Sequence, residues 1–157
     1  MPNNEINISF AIKKIAITNF YVDEDAYNKD NLEMEISLTQ NTTFEPEPDL
    51  ANITLTFLYK YRGGKESIAS ISVLNTFHII GLKNFLQEDN TKTTLPREVL
   101  TNLLGLSVSH TRALFAHSIS STKYKEGISL FIVDPSILVD ALYPFIKQEN
   151  KPDIVKV

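Results

Sequence analysis

The chain has 157 residues, 43% of them hydrophobic and 22% charged, with a formal net charge of −4. That length and balance fit a folded domain with a real core and exclude disordered and collagen-like classes. The acidic balance disfavours nucleic acid and anionic lipid as partners, and the lack of cysteine removes disulfides, thiol nucleophiles and thiolate zinc sites.

The N-terminal "MPNNEINISF" has no basic segment leading into an apolar one, so it does not read as a signal peptide. No stretch approaches the roughly 20 apolar residues of a membrane helix, and a soluble cytoplasmic protein is expected. Ile6, Ile8, Phe10 and Ile12 alternate, and after Lys13-Lys14 the pattern resumes at Ile15 and Ile17. Such period-2 patterning predicts a strand, with the lysine pair marking a β-bulge or a change of face. "YVDEDAYNKDN" (21–31) is acidic and rich in Asn, and is expected to be a loop. Met34, Ile36 and Leu38 predict a short second strand. "TQNTTFEPEPDL" (39–50), with two prolines and the isolated Phe44, is expected to be a second irregular connection.

Ile53, Leu55, Phe57, Tyr59 and Tyr61 form a third alternating run, opposed by Thr54, Thr56, Leu58, Lys60 and Arg62. Gly63-Gly64 then predicts a hairpin into a fourth run carrying Ala69, Ile71, Val73, Asn75, Phe77 and Ile79. On that strand the inward row is set against an outer row of Ser70, Ser72, Leu74, Thr76 and His78. After Gly81 the period lengthens: Pro96 opens a helix with Val99, Leu100, Leu103 and Leu104 inward. Gly105, Ser107 and Ser109 are expected to interrupt it before it resumes over His110–Ser120 with Leu114, Phe115 and Ile119. Asp134-Pro135 reads as a cap and first-turn proline for a last helix burying Ile137, Leu138, Ala141, Leu142, Phe145 and Ile146, kinked by Pro144. Strands first and helices after predict an α+β fold, a four-stranded antiparallel sheet with both helices on one face. A single domain over 1–148 and a frayed tail over 149–157 complete the outline.

Catalytic chemistry finds little support. His110 and His117 are seven residues apart, too far for an ordinary shared metal, and His78 lies on the strand opposite Phe77. The carboxylates of "DED" (23–25) and "EPEPD" (45–49) do not match a calcium loop, and no Gly-rich phosphate loop exists. Arg112 admits two readings, an anion contact or a structural arginine bonding loop carbonyls or a carboxylate. Phe20, Tyr21, Tyr27 and Phe44 also admit two: they cap the sheet edge or the helix layer, or they line an exposed protein-binding groove. No enzyme, cofactor or metal is expected.

Set out in this order, the chain resembles the bacterial export chaperone SecB and its SecB-like relatives. "ASISVLNTFHIIGL" is similar to the family's strand that ends in an aromatic, an apolar pair and a glycine. "LLGLSVSHTRALFAHSISSTKYKEGISLFIVDPSILVDAL" is similar to its interrupted helix with an arginine, small-polar turn, extended segment and capped last helix. "ISFAIKKIAITNFYVD" is like its first strand and crossover, and the resemblance covers roughly residues 6–148.

The resemblance implies an ATP-independent holdase for unfolded clients, a homotetramer built as a dimer of dimers, and protomers paired through first strands and long helices. Its client groove would fall on Phe20, Tyr21 and Phe44 from the loop side and Leu142, Phe145 and Ile146 from the helix side. Typical members deliver clients to SecA through an acidic sheet face and a metal-binding tail. Here the acidic strand position falls on Ser70 and the tail has neither Cys nor His, which argues against that delivery. Some SecB-like proteins instead serve an antitoxin, and an adaptor for one folded partner is the alternative from a different class.

Overall fold

The computed structural model describes residues 7–31, 33–128, 130 and 132–142. Its strands are β1 (Phe10–Val22), β2 (Met34–Glu45), β3 (Leu50–Tyr61) and β4 (Ser67–Ile79), followed by helices α1 (Arg97–Ile119) and α2 (Pro135–Leu142). The four strands form one antiparallel sheet in the order β1-β4-β3-β2. The expected α+β architecture is present. The hairpin joining β3 to β4 turns at Gly63, whose φ of 74° is open to glycine without steric cost. Because β1 and β2 are opposite edges, the connection between them must cross the end of the sheet. It does so with Asp23 N–H donating to the Ile68 carbonyl and Arg62 N–H donating to the Glu33 carbonyl.

The core follows from alternation in the two central strands. Ala51, Ile53, Leu55, Phe57 and Tyr59 of β3 and Ala69, Ile71, Val73, Phe77 and Ile79 of β4 are buried, all toward the helix layer. From α1 come Leu100, Leu103, Leu104, Ser107, Val108, Thr111, Phe115 and Ile119, one helical stripe lying over that surface. Phe115 stacks on Tyr59 with ring centroids 4.8 Å apart.

Four expectations need correction. The second connection is not a long loop: β2 continues through Glu45, paired residue for residue with β3 until Glu45 meets Leu50. Only 46–49 turn, with the Asp49 N–H donating to the Pro46 carbonyl. "TQNTT" (39–43) is polar on both faces, so it carries no hydrophobic alternation, and its strand form comes from pairing with β3. Second, α1 is not interrupted. The hydroxyls of Ser107 and Thr111 donate to the carbonyls of Leu103 and Ser107 at 2.8 and 2.7 Å, so they are satisfied inside the helix. Gly105 instead makes room for α2: a β-carbon there would lie 3.1 Å from Pro135 Cγ.

Third, α2 is turned relative to the expected stripe. Leu138 and Val139 are buried, whereas Ile137 is 63% exposed and Ala141 is exposed. The Asp134 cap is as expected, its carboxylate accepting from Ser136 N–H at 2.8 Å. Fourth, β1 begins at Phe10, with Ile8 ahead of the strand. Ile6 and the Pro144 kink lie outside the described residues.

Candidate functional site

β1 bears the largest departure from a finished core. Its ladder with β4 skips Lys13 and again Thr18, so the alternation re-phases twice and Phe10, Ile12, Ile15, Ile17 and Phe20 all meet the inward residues of β4. The lysine pair therefore does mark a bulge. The row faces the helix layer, yet Ile12, Ile15 and Ile17 remain 44%, 40% and 42% exposed. Between Ile15, Ile17 and the Ala113 and Leu114 side chains of α1 lies a cavity of about 500 Å³, open to solvent and apolar except for His110. The His110 Nδ1 lies 2.7 Å from the Oδ1 of Asn75, a fully buried side chain on the inward row of β4. Burial pushes the His110 pKa down.

The aromatics of the first connection are not free. Tyr27 packs edge-on against Tyr124 at 5.1 Å, in a single 3-10 turn (Lys123–Glu126) beyond α1. The Tyr124 hydroxyl donates to the Asp23 carbonyl at 2.8 Å, and Asn28 N–H donates to the Tyr61 hydroxyl. The capping alternative holds for Tyr27. The Asp23 carboxylate is engaged too, its Oδ1 accepting from the N–H groups of Asp25 and Ala26.

The outer row of Ser70, Ser72, Leu74, Thr76 and His78 lies on one face, opposite the helices. Its polar atoms are largely engaged within the sheet. Ser72 Oγ lies 2.7 Å from Thr56 Oγ1, Thr76 donates to Asn52 Oδ1 at 2.8 Å, and Asn52 donates to Glu45. Arg112 lies near enough to Tyr59 for its charge to act on the phenol. Its buried Nε and the buried Tyr59 hydroxyl have no hydrogen-bond partner among the described residues. Burial pushes the Tyr59 phenol up to about 12, opposed by the nearby guanidinium. Among the described residues no three His, Asp or Glu side chains gather as a metal set, and no helix is long and apolar enough to cross a membrane.

No family model matches the chain, and no curated protein matches it by sequence. Solved structures do. The SecB-like chaperone of Mycobacterium tuberculosis, in complex with a ChAD peptide from the HigA1 antitoxin, superposes on 79% of this chain and 90% of its own. The TM-score is 0.51 at 9% sequence identity. The fold is SecB-like. A protein of unknown function from Streptococcus agalactiae covers 80% of this chain and 99% of its own at 11% identity, with a TM-score of 0.39 that adds no weight.

In this SecB-like frame Phe20, Tyr21 and Phe44, expected on the loop side of a groove, lie on different faces or edges of the sheet. Phe20 lies on the inward row of β1 and meets Phe115 edge-on at 6.5 Å. Tyr21, next along the strand, pairs with Ser70 and so faces outward. Phe44 belongs to β2 at the far edge, opposite Ala51 and half-buried against the core. Leu142 ends α2, and Phe145 and Ile146 lie outside the described residues. The sequence reasoning missed the Asn75–His110 pair and the second bulge at Thr18. For Asn75 a signal existed, since an amide on the inward phase of a core strand requires a polar partner.

Proposed function

We propose that the protein is a SecB-like chaperone, an ATP-independent holdase that binds unfolded polypeptide and acts as a homo-oligomer in the cytoplasm. The observation that carries this is the likeness, over 79% of the chain, to a chaperone held in complex with a peptide. The uncovered apolar row of β1 beside α1 fits the second half of the proposal. Two protomers meeting there would bury Ile12, Ile15, Ile17 and Leu114, each square ångström of apolar surface contributing about 25 cal/mol. With β1 occupied by a second copy, Phe20 belongs to that surface, and the client side falls to Phe44 and the β2 side of the sheet. Several such sites on one oligomer raise avidity without a tight single site.

An antitoxin-dedicated role is the second form of the same proposal, favoured by the antitoxin peptide in the related complex. Delivery to SecA finds no acid on the β4 outer row, where Ser70, Ser72 and Thr76 stand. The test is light scattering from a chemically denatured model protein diluted into buffer without ATP. Suppression at equimolar oligomer is expected. Unchanged aggregation, together with binding to one folded protein only, would replace the chaperone with an adaptor.

A further inference from the structure

The sheet ends in two edges of different construction. β1 has two register breaks and consecutive lysines, features that discourage a further strand from adding. β2 has neither. Its 12 residues, MEISLTQNTTFE, pair one for one with β3 and contain no proline, glycine, lysine or arginine. Among the described strands nothing pairs with its other side. In a regular antiparallel strand alternate residues aim N–H and C=O away from the partner, so about half of this backbone faces outward. The side chains flanking that backbone alternate too: Met34, Ile36, Leu38 and Phe44 half-buried on the helix side, Glu35, Ser37, Thr39, Asn41, Thr43 and Glu45 exposed on the other.

The charges decide which occupant fits. A second copy paired edge to edge about a two-fold axis, with the two faces matched over residues 35–45, sets Glu35 opposite Glu45 of the other copy, twice. Sliding by two residues, the smallest step that keeps the faces matched, sets Glu33 opposite Glu45 instead, and only overlaps shortened to about nine residues escape the clash. Like charges directly opposed across strands are destabilising. A segment with apolar residues beside Ile36 and Leu38, and neutral or basic ones beside Ser37, Thr39 and the glutamates, meets no such conflict.

We infer that the free edge of β2 is a strand-addition site, where an extended client segment of alternating apolar and neutral or basic residues pairs as a fifth strand. The inference rests on the polypeptide-binding role above and specifies how that binding works. Main-chain hydrogen bonds carry no sequence information, so such an edge accepts many clients. A folded protein has already used those backbone groups and is passed over.

The test is an amide N-methylation scan of a synthetic peptide of alternating valine and lysine, about ten residues long, matched to a long strand. Each backbone N–H is methylated in turn and affinity is read by calorimetry. Losses of about tenfold or more at every second position, with the intervening positions near the parent, are expected where each lost hydrogen bond costs about 1.4 kcal/mol. Parent-like binding at all positions, or losses without period two, would overturn strand addition while leaving chaperone binding intact. No binding of the parent peptide, with aggregation still suppressed, would do the same. No binding and no suppression would overturn both. Exchange protection of β2 that rises with protein concentration in the absence of peptide would assign the edge to a second copy instead.

Discussion

β1 and β2 are edges of one sheet, and they leave different things uncovered. On β1 the side chains are unfinished: Ile12, Ile15 and Ile17 point to the helix layer but stay about two-fifths exposed, beside a cavity that α1 does not fill. Its backbone is bent by two bulges. On β2 the side chains are half-buried or polar and the backbone is regular, with no further strand beside it among the described residues. A surface of fixed apolar shape suits one complementary partner, such as a second copy. A line of amides suits many extended partners. Location on an edge therefore does not decide a strand's role; the state of its side chains and backbone does.

The largest effect should come from Ile17→Asp. Two-fold pairing through β1 places the carboxylate in the interface twice, so association should weaken by about 100-fold or more, read by light-scattering mass. Ile17 is 42% exposed in the protomer, so the fold should persist and peptide binding at β2 should survive.

Acid should separate the edges next. Burial holds His110 below its ordinary 6.5, so the unfolded chain protonates first. Stability is then full above the unfolded value, falls as pH drops below it, and levels off below the folded value. Pairing through β1 buries the ring further, facing Ile15, Ile17, Ala113, Leu114 and Asn75 with no charged group among them. Association should weaken with the same sign, by up to about tenfold per pH unit for each histidine. Peptide binding at β2 should follow pH far less, and His110→Gln should remove the dependence.

A smaller change calibrates both. Asp134→Ala removes the α2 cap, and a loss of about 1 kcal/mol in urea unfolding should leave both edges working. Smallest in stability is the pair Lys13→Thr with Lys14→Thr, expected to stay within about 0.5 kcal/mol of the parent. It strips charge from the β1 edge and should raise concentration-dependent aggregation.

The fold was legible where alternation was strong. Ile53–Tyr61, the Gly63-Gly64 turn and Ala69–Ile79 specify the central hairpin, and Asp134-Pro135 specifies the start of α2. The missing half of β2 was not legible, because Thr39 to Thr43 are polar on both faces and owe their strand form to β3. Nor was the continuity of α1, since Gly105 and Ser107 look like breakers until Pro135 and the Leu103 carbonyl account for them. The placement of Phe20 and Tyr21 was not legible either. Phe20 and Tyr21 are adjacent in sequence, and strand geometry sends them to opposite faces.

Hydrogen exchange on both edge strands, with and without an unfolded client, tests the central claim most directly. The account predicts added protection on β1 that depends on protein concentration and ignores the client, and added protection of the outward β2 amides only when client is present. Client-induced protection on β1, with β2 unchanged, would contradict it.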